Sequence, residues 1–239
     1  SVGKNLQDHL MLRPVYKIKN LETLNEVYHN LYKKMMTGIN YFLFRKGALT
    51  MGASHLCGFI KSDKHLETPN LQYHVSPMST DILGKSTLHT FPAFTPTICN
   101  IRPTSRGSIE LNGNDTREDP KIFMNYLSTP EDREIAGKAI KITRKIVMES
   151  KAFEPYDPIE LRPGIEITDN EQLAEEAGKY ANTVFHPVST CRMGNDKEAV
   201  VNDRLIAHGL KDLRIVDASV MPSITSGNTN APTIMIAEK

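Results

Sequence analysis

The densest group of chemically useful side chains is His186, Ser189, Thr190, Cys191 and Arg192, in a run that ends at Gly194. An imidazole is the usual group for moving protons near neutral pH, because its unperturbed pKa of about 6.5 is tuned by small changes of environment. His186 is therefore a candidate base, although a surface histidine or a satisfied core histidine would look the same in sequence. Cys191, five residues on, suggests a thiolate–imidazole pair for nucleophilic chemistry, while the same thiol also reads as a small buried hydrophobe.

A second group, SGNTNAP at Ser226–Pro232, lies between a strand-like run and a helix start. Amides left open at a helix N-terminus favour an anion or an electron-rich ring. An ordinary loop in which Asn228 and Asn230 bond their own backbone explains the same residues. Asp217, closing LRIVD, either caps the loop that follows or takes a ligand hydroxyl at the end of a strand. The other histidines, His9 among them, show no metal-ligand spacing, so no metal site is expected. No two glycines are spaced as GxG, which leaves out both the dinucleotide fingerprint and the P-loop.

These groups need elements to hold them. Leu24, Val27, Tyr28, Leu31 and Met35 recur at helical spacing and predict one amphipathic helix over 22–36. HLCGFI, LQYHV and PTICNI predict strands punctuated by prolines, and 105–127 predicts a hairpin with a long polar turn that continues the sheet. A second helix starts at Thr129, with Pro130 at its first position, Glu131 and Asp132 at the positive end of its dipole, and Ile135, Ala139, Ile142 and Ile146 as its core stripe. Pro155, Pro158 and Pro163 mark a crossing between structural units. Thr168 and Glu171 form a capping box for a third helix carrying Leu173, Ala177, Tyr180 and Val184. LRIVDAS predicts a buried strand, and Pro232 opens a last helix.

The whole-chain composition excludes several classes. With 39% hydrophobic and 24% charged residues over 239 positions, the chain is neither collagenous nor disordered. Lys and Arg number 29 against 28 Asp and Glu, a net charge of +1 that offers no footprint for nucleic acid or an anionic membrane. Three separated cysteines form no CxxC pair. No apolar run approaches the roughly 20 residues of a membrane helix, and the chain opens on Ser1 without a readable signal peptide, so it reads as a fragment.

Six runs in order resemble the glucose-methanol-choline (GMC) family of flavin-dependent alcohol oxidoreductases, in particular its insect glucose dehydrogenase and choline dehydrogenase branches. They are VGKNLQDH (Val2–His9), NYFLFRKGALT (Asn40–Thr50), IRPTSRGSIEL (Ile101–Leu111), NYLSTPEDRE (Asn125–Glu134), HPVSTCRMG (His186–Gly194) and the tail from Ile215 to Lys239. The resemblance implies an α+β or α/β fold: a substrate-binding antiparallel sheet with helices, plus the C-terminal part of an FAD-binding Rossmann-like domain whose N-terminal half is missing. It divides the chain into a remnant of the FAD-binding domain at 1–20, a substrate-binding domain at 21–164, and a segment at 165–239 that returns to the FAD-binding domain with the active site.

By the same resemblance, His186 and Asn228 are the catalytic pair. Asp217 and Ala218 lie beside the FAD pyrophosphate and ribityl chain, Phe185 lies near the flavin ring, and the Asn228, Thr229 and Asn230 backbone lies at its pyrimidine edge. His186 takes a hydroxyl proton while hydride leaves to flavin N5. The implied partners are an alcohol or sugar substrate and a quinone or oxygen as acceptor, with no nucleic acid and no transmembrane segment. Insect relatives are often exported, and this chain carries no signal that tests it. Without the GxGxxG half, the chain is expected to bind FAD weakly or not at all and to be inactive alone. The alternatives are a truncated, non-catalytic binding module and a cysteine hydrolase using Cys191 and His186.

Overall fold

A computed structural model describes residues 1–82, 84, 87–115 and 117–239. The chain builds two compact units. One comprises Met11–Cys99 and Arg133–Asn182, the other Ser1–Leu10, Asn100–Asp132 and Thr183–Lys239.

The first unit holds most of the regular structure. Its strands are β1 (Leu10–Leu12), β2 (Val15–Lys17), β3 (Leu56–Ile60), β4 (Leu71–Ser76) and β5 (Ala93–Asn100). β3 pairs antiparallel with β4, and β5 receives β1 through Met11↔Cys99 and β2 through Tyr16↔Phe94. β5 is buried along almost its whole length, which is why AFTPTICN lacks the polar alternation of a half-exposed strand. The core is aromatic: Tyr16 stacks on Phe94, and Phe94 on Phe153, with ring centroids 5.7 and 5.5 Å apart.

Helices α1 (Leu24–His29) and α2 (Leu31–Phe44) replace the single helix expected over 22–36. Asn30 is the cause. Its extended backbone ends α1, and its side chain accepts the Lys33 N–H to start α2. Leu31 and Met35, expected in the core, are 83% and 53% exposed, because α2 turns its apolar arc outward.

Helix α3 (Pro130–Met148) starts where expected. Its buried stripe is Ala136, Ala139, Ile140, Thr143 and Val147, whereas Ile146 is exposed, so the helix is rotated from the expected face. Small residues sit on the buried side because a neighbour comes close. A Cβ on Gly137 would lie 2.6 Å from Asn170 Cα, at the start of α4 (Asn170–Lys179). Asp169, not Thr168, caps α4 by accepting from Glu171 N and Gln172 N, and the helix ends before Tyr180 and Val184.

Between Pro158 and Pro163 the chain forms strand β8 (Ile159–Arg162), antiparallel to β2. The expected crossing segment therefore carries a strand bracketed by prolines. β8 brings in Glu160, fully buried against Arg144 of α3 at 2.8 Å, and the Tyr16 hydroxyl donates to the same carboxylate. A two-residue strand, β9 (Asn182–Thr183), closes this part of the sequence.

The second unit is built mainly from loops. Its hairpin, β6 (Ser108–Glu110) with β7 (Lys121–Phe123), is a separate two-stranded sheet and does not continue the large one. Asp132 stitches the loop before it, accepting from the Asn100 side chain and from Thr104 and Ser105 N–H groups. LRIVDAS is not a strand: among the described residues it contributes one isolated bridge, Ile206↔Arg214, and residues 213, 214, 216 and 217 are exposed. Branched apolar residues extend only when a neighbouring strand takes up their backbone groups. The last helix is α5 (Asn230–Glu238), two residues earlier than Pro232 suggests.

Candidate active site

The site is organised by NLQDH, a run that carries no chemistry in the sequence reading beyond its family resemblance. Gln7, Asp8 and His9 are all buried, at 4%, 4% and 0% exposure, and each holds a different segment. The Gln7 backbone pairs with Val188 in both directions. Its amide donates to Pro103 O at 2.6 Å, and its carbonyl oxygen accepts from Ile224 N at 2.8 Å. Asp8 accepts from the Tyr126 hydroxyl and the Thr183 hydroxyl, both at 2.5 Å, and from His186 N at 2.9 Å. Burial first, then the hydrogen bond and charge of Asp8, push the Tyr126 phenol up from its ordinary pKa.

The run is placed by Leu6, whose backbone pairs with Gly107 in both directions. A Cβ on Gly107 would meet Phe123 O at 2.0 Å and Met124 O at 2.8 Å, so only glycine fits between these two backbones.

His186 is 8% exposed and is approached from two sides. Its Nδ1 lies 3.0 Å from His9 Nδ1, with the two rings edge to face at 87°. Its Nε2 lies 3.4 Å from Asn228 Nδ2. The two residues expected to work together, remote in sequence, are therefore adjacent. His9 joins them as a third side chain, one that the spacing of the scattered histidines does not single out. The available signal was three consecutive polar residues enclosed by Leu6 and Leu10, a pattern that buries polar groups and so demands partners. His9 Nε2 reaches Ile101 O at 3.2 Å. Burial first, then the neighbouring His186, lowers the His9 pKa to about 4, against the opposing pull of the Ile101 carbonyl, Asp8 and the Thr225 backbone.

The expected ligand residues surround this pair in sequence. Phe185 has a left-handed backbone, φ 63°, and is 74% exposed; its N–H donates to the Thr183 hydroxyl. Asp217 is exposed and caps the short helical turn Ala218–Val220 by accepting from Ser219 N at 2.7 Å. Ala218 packs on the cluster of Val188, Met221 and Ile224. Thr229 is buried, and its hydroxyl makes no cap for α5, so the amides of Asn230 and Ala231 remain donors at that helix N-terminus. Ser189, in the loop after His186, holds a buried hydroxyl with no hydrogen-bond partner. Cys191 donates its backbone N–H to Ser219 O, and the His186 ring is engaged by His9 and Asn228.

An imidazole beside a carboxamide, close in sequence to a helix start without a side-chain cap, is an arrangement with the chemistry to take a proton from a hydroxyl. The GMC oxidoreductase family model matches residues 103–237, and the chain belongs to this family. It is 38% identical over 237 residues to an alcohol dehydrogenase [acceptor] of Pseudomonas putida, covering 99% of this chain and 43% of that protein. It is equally similar to an oxygen-dependent choline dehydrogenase of Pseudomonas savastanoi, covering all of this chain and 41% of the other. Among solved structures, pyridoxine 4-oxidase from Mesorbium loti superposes with a TM-score of 0.78 at 26% identity, over 99% of this chain and 42% of its own. Formate oxidase from Aspergillus oryzae superposes at 0.89 with 22% identity, over 99% and 46%, which shows the shared fold. The chain thus spans about two fifths of the length of the relatives it matches.

Proposed function

We propose that this chain is the C-terminal portion of an FAD-dependent oxidoreductase that oxidises the CH–OH group of an alcohol or sugar. The observation that carries this reading is the His186 Nε2–Asn228 Nδ2 approach of 3.4 Å on a histidine whose other nitrogen is already engaged. His186 accepts the substrate hydroxyl proton at Nε2. Asn228, a neutral amide that cannot take a proton, donates a hydrogen bond to the oxygen as charge develops there. The carbonyl product keeps that oxygen. When bound, FAD supplies the acceptor for the hydrogen that leaves carbon as hydride.

The donors present fit such a group. The Asn230 and Ala231 amides at the α5 start suit an electron-rich ring edge, and the orphan Ser189 hydroxyl is a further polar atom awaiting a partner. Phe185, Asp217, Ala218, Asn228, Thr229 and Asn230 are the residues that would hold it. The names of the two bacterial relatives support an external electron acceptor, such as a quinone or oxygen.

The test is His186→Ala in the full-length protein that contains this chain. Turnover of alcohols is expected to fall by about 10²- to 10⁴-fold, with flavin content unchanged. Undiminished turnover overturns the reading.

A further inference from the structure

We infer that His9 is a positioning residue that selects which nitrogen of His186 acts as the base, holding His186 in the tautomer protonated at Nδ1 with its lone pair on Nε2. The inference rests on the proposed role of His186 and extends it to a residue outside that pair.

A hydrogen-bonded row fixes the ring protons from both of its ends. At one end, Ile101 O can only accept, so His9 Nε2, 3.2 Å away, carries its ring proton. At the other end, the Asn228 amide nitrogen can only donate, so His186 Nε2, 3.4 Å away, presents a lone pair. Between them the two Nδ1 atoms stand 3.0 Å apart and need a single shared proton. A neutral His9 protonated at Nε2 has an acceptor at Nδ1. A neutral His186 with a lone pair at Nε2 has its proton at Nδ1. The two deductions agree: His186 Nδ1–H donates to His9 Nδ1.

Turning the Asn228 amide over breaks this agreement. Its oxygen would demand a proton on His186 Nε2, and two Nδ1 lone pairs would then face each other at 3.0 Å, unless a ring buried at 0% or 8% exposure carried a charge. The row therefore sets the amide orientation as well as the tautomer.

The arrangement also says what His9 does not do. A proton taken up at His186 Nε2 leaves a cation whose Nδ1–H still donates to His9. Burial and the neighbouring His186 lower the His9 pKa, which opposes passing that proton on, so the role assigned to His9 is orientation. Asp8, the charged group beside the pair, is already committed to Tyr126, Thr183 and the His186 N–H, so it fixes the His186 backbone while His9 fixes the ring.

Nitrogen-15 NMR of the histidine rings in this 239-residue chain reads the tautomers directly, with no cofactor and no turnover. Above pH 7, wild type is expected to show His186 protonated at Nδ1 and His9 at Nε2. His9→Phe, which keeps a flat ring but offers no acceptor, is expected to move His186 toward the Nε2-protonated form. His9→Asn, whose carboxamide oxygen can reach the place of Nδ1, is expected to restore the wild-type pattern. In the full-length enzyme, His9→Phe is expected to lower kcat/KM by about 10² or more, as a wrong tautomer does elsewhere, and His9→Asn to recover most of that loss.

A wild-type His186 protonated at Nε2, or a tautomer unchanged in His9→Phe, overturns the inference. The wild-type spectrum decides even if His9→Phe does not fold. If instead the tautomers behave as stated while His186→Ala leaves turnover intact, the hydrogen-bond inference stands and the proposed reaction falls.

Discussion

His9 has no exposed surface, and its neutrality has a consequence for stability as well as for chemistry. Its pKa is lowered to about 4 in the folded chain, against about 6.5 when unfolded. Above pH 6.5 both states are neutral and the full stability is present. As the pH falls from 6.5 toward 4, the unfolded chain binds a proton that the folded chain refuses, so stability declines, by about 3 kcal/mol at most. Urea titrations at pH 7.5 and pH 4.5 should show this loss in wild type and a smaller one in His9→Asn. An equal loss in both would show that His9 is not a main source of acid sensitivity. His186, Asn228 and the loops around them were legible as residues. Gln7, Asp8 and His9 were legible only as a family signature, because one sequence does not reveal that three neighbouring polar side chains are buried and point to three different segments.

The elements were legible where local chemistry is strong. Thr129, Pro130, Glu131 and Asp132 announce the start of α3, and the prolines around 92–96 do not prevent β5 from forming between its neighbours. Faces were less legible. The apolar spacing of α3 fits two adjacent stripes, and packing chose the one that carries Ala136, Ala139, Ile140, Thr143 and Val147. In the same way Asn30 splits a helix whose hydrophobic period runs straight through it.

The pair that anchors β8 to α3 offers a test at this scale. Arg144 holds Glu160 through two nitrogens, and its guanidinium also reaches Ile167 O and Gly164 O. Arg144→Met should cost about 3–5 kcal/mol in urea unfolding, because it strands a carboxylate with no exposed surface. Replacing Glu160 with Gln as well should return much of that loss by removing the stranded charge. A single variant within about 1 kcal/mol of wild type would show that the pair does not bear on stability.

At the scale of the molecule, each of the two units is assembled from separated stretches of chain, with the crossings after residues 10, 99, 132 and 182. The site unit therefore depends on contacts such as Leu6 with Gly107 and Gln7 with Pro103, Val188 and Ile224, which join sequence distances of 96 to 217 residues. Gly107→Ala should disrupt these joins together, seen as loss of the His9–His186 hydrogen-bond signals in the ring NMR spectrum. Retention of those signals would show that the two backbones can separate without moving the run. A second expectation concerns the cofactor: the contacts proposed for it lie on exposed residues such as Phe185 and Asp217 and at the α5 start, so gel-filtered material mixed with FAD should lose its yellow absorbance. Stoichiometric flavin after filtration would show that the α5 and Ser189 region holds it unaided.

The sequence alone determined the family and the starts of α3 and α5 to within two residues, and it offered His186 and Asn228 as candidates. These follow from local rules and side-chain types that act wherever the chain goes. Tertiary structure decided that His9 lies between Ile101 and His186, that Asp8 gathers Tyr126, Thr183 and the His186 backbone, and that LRIVDAS is not a strand. Each of these depends on which distant backbone and ring atoms satisfy a buried polar group, and that pairing exists only once the separate stretches have packed.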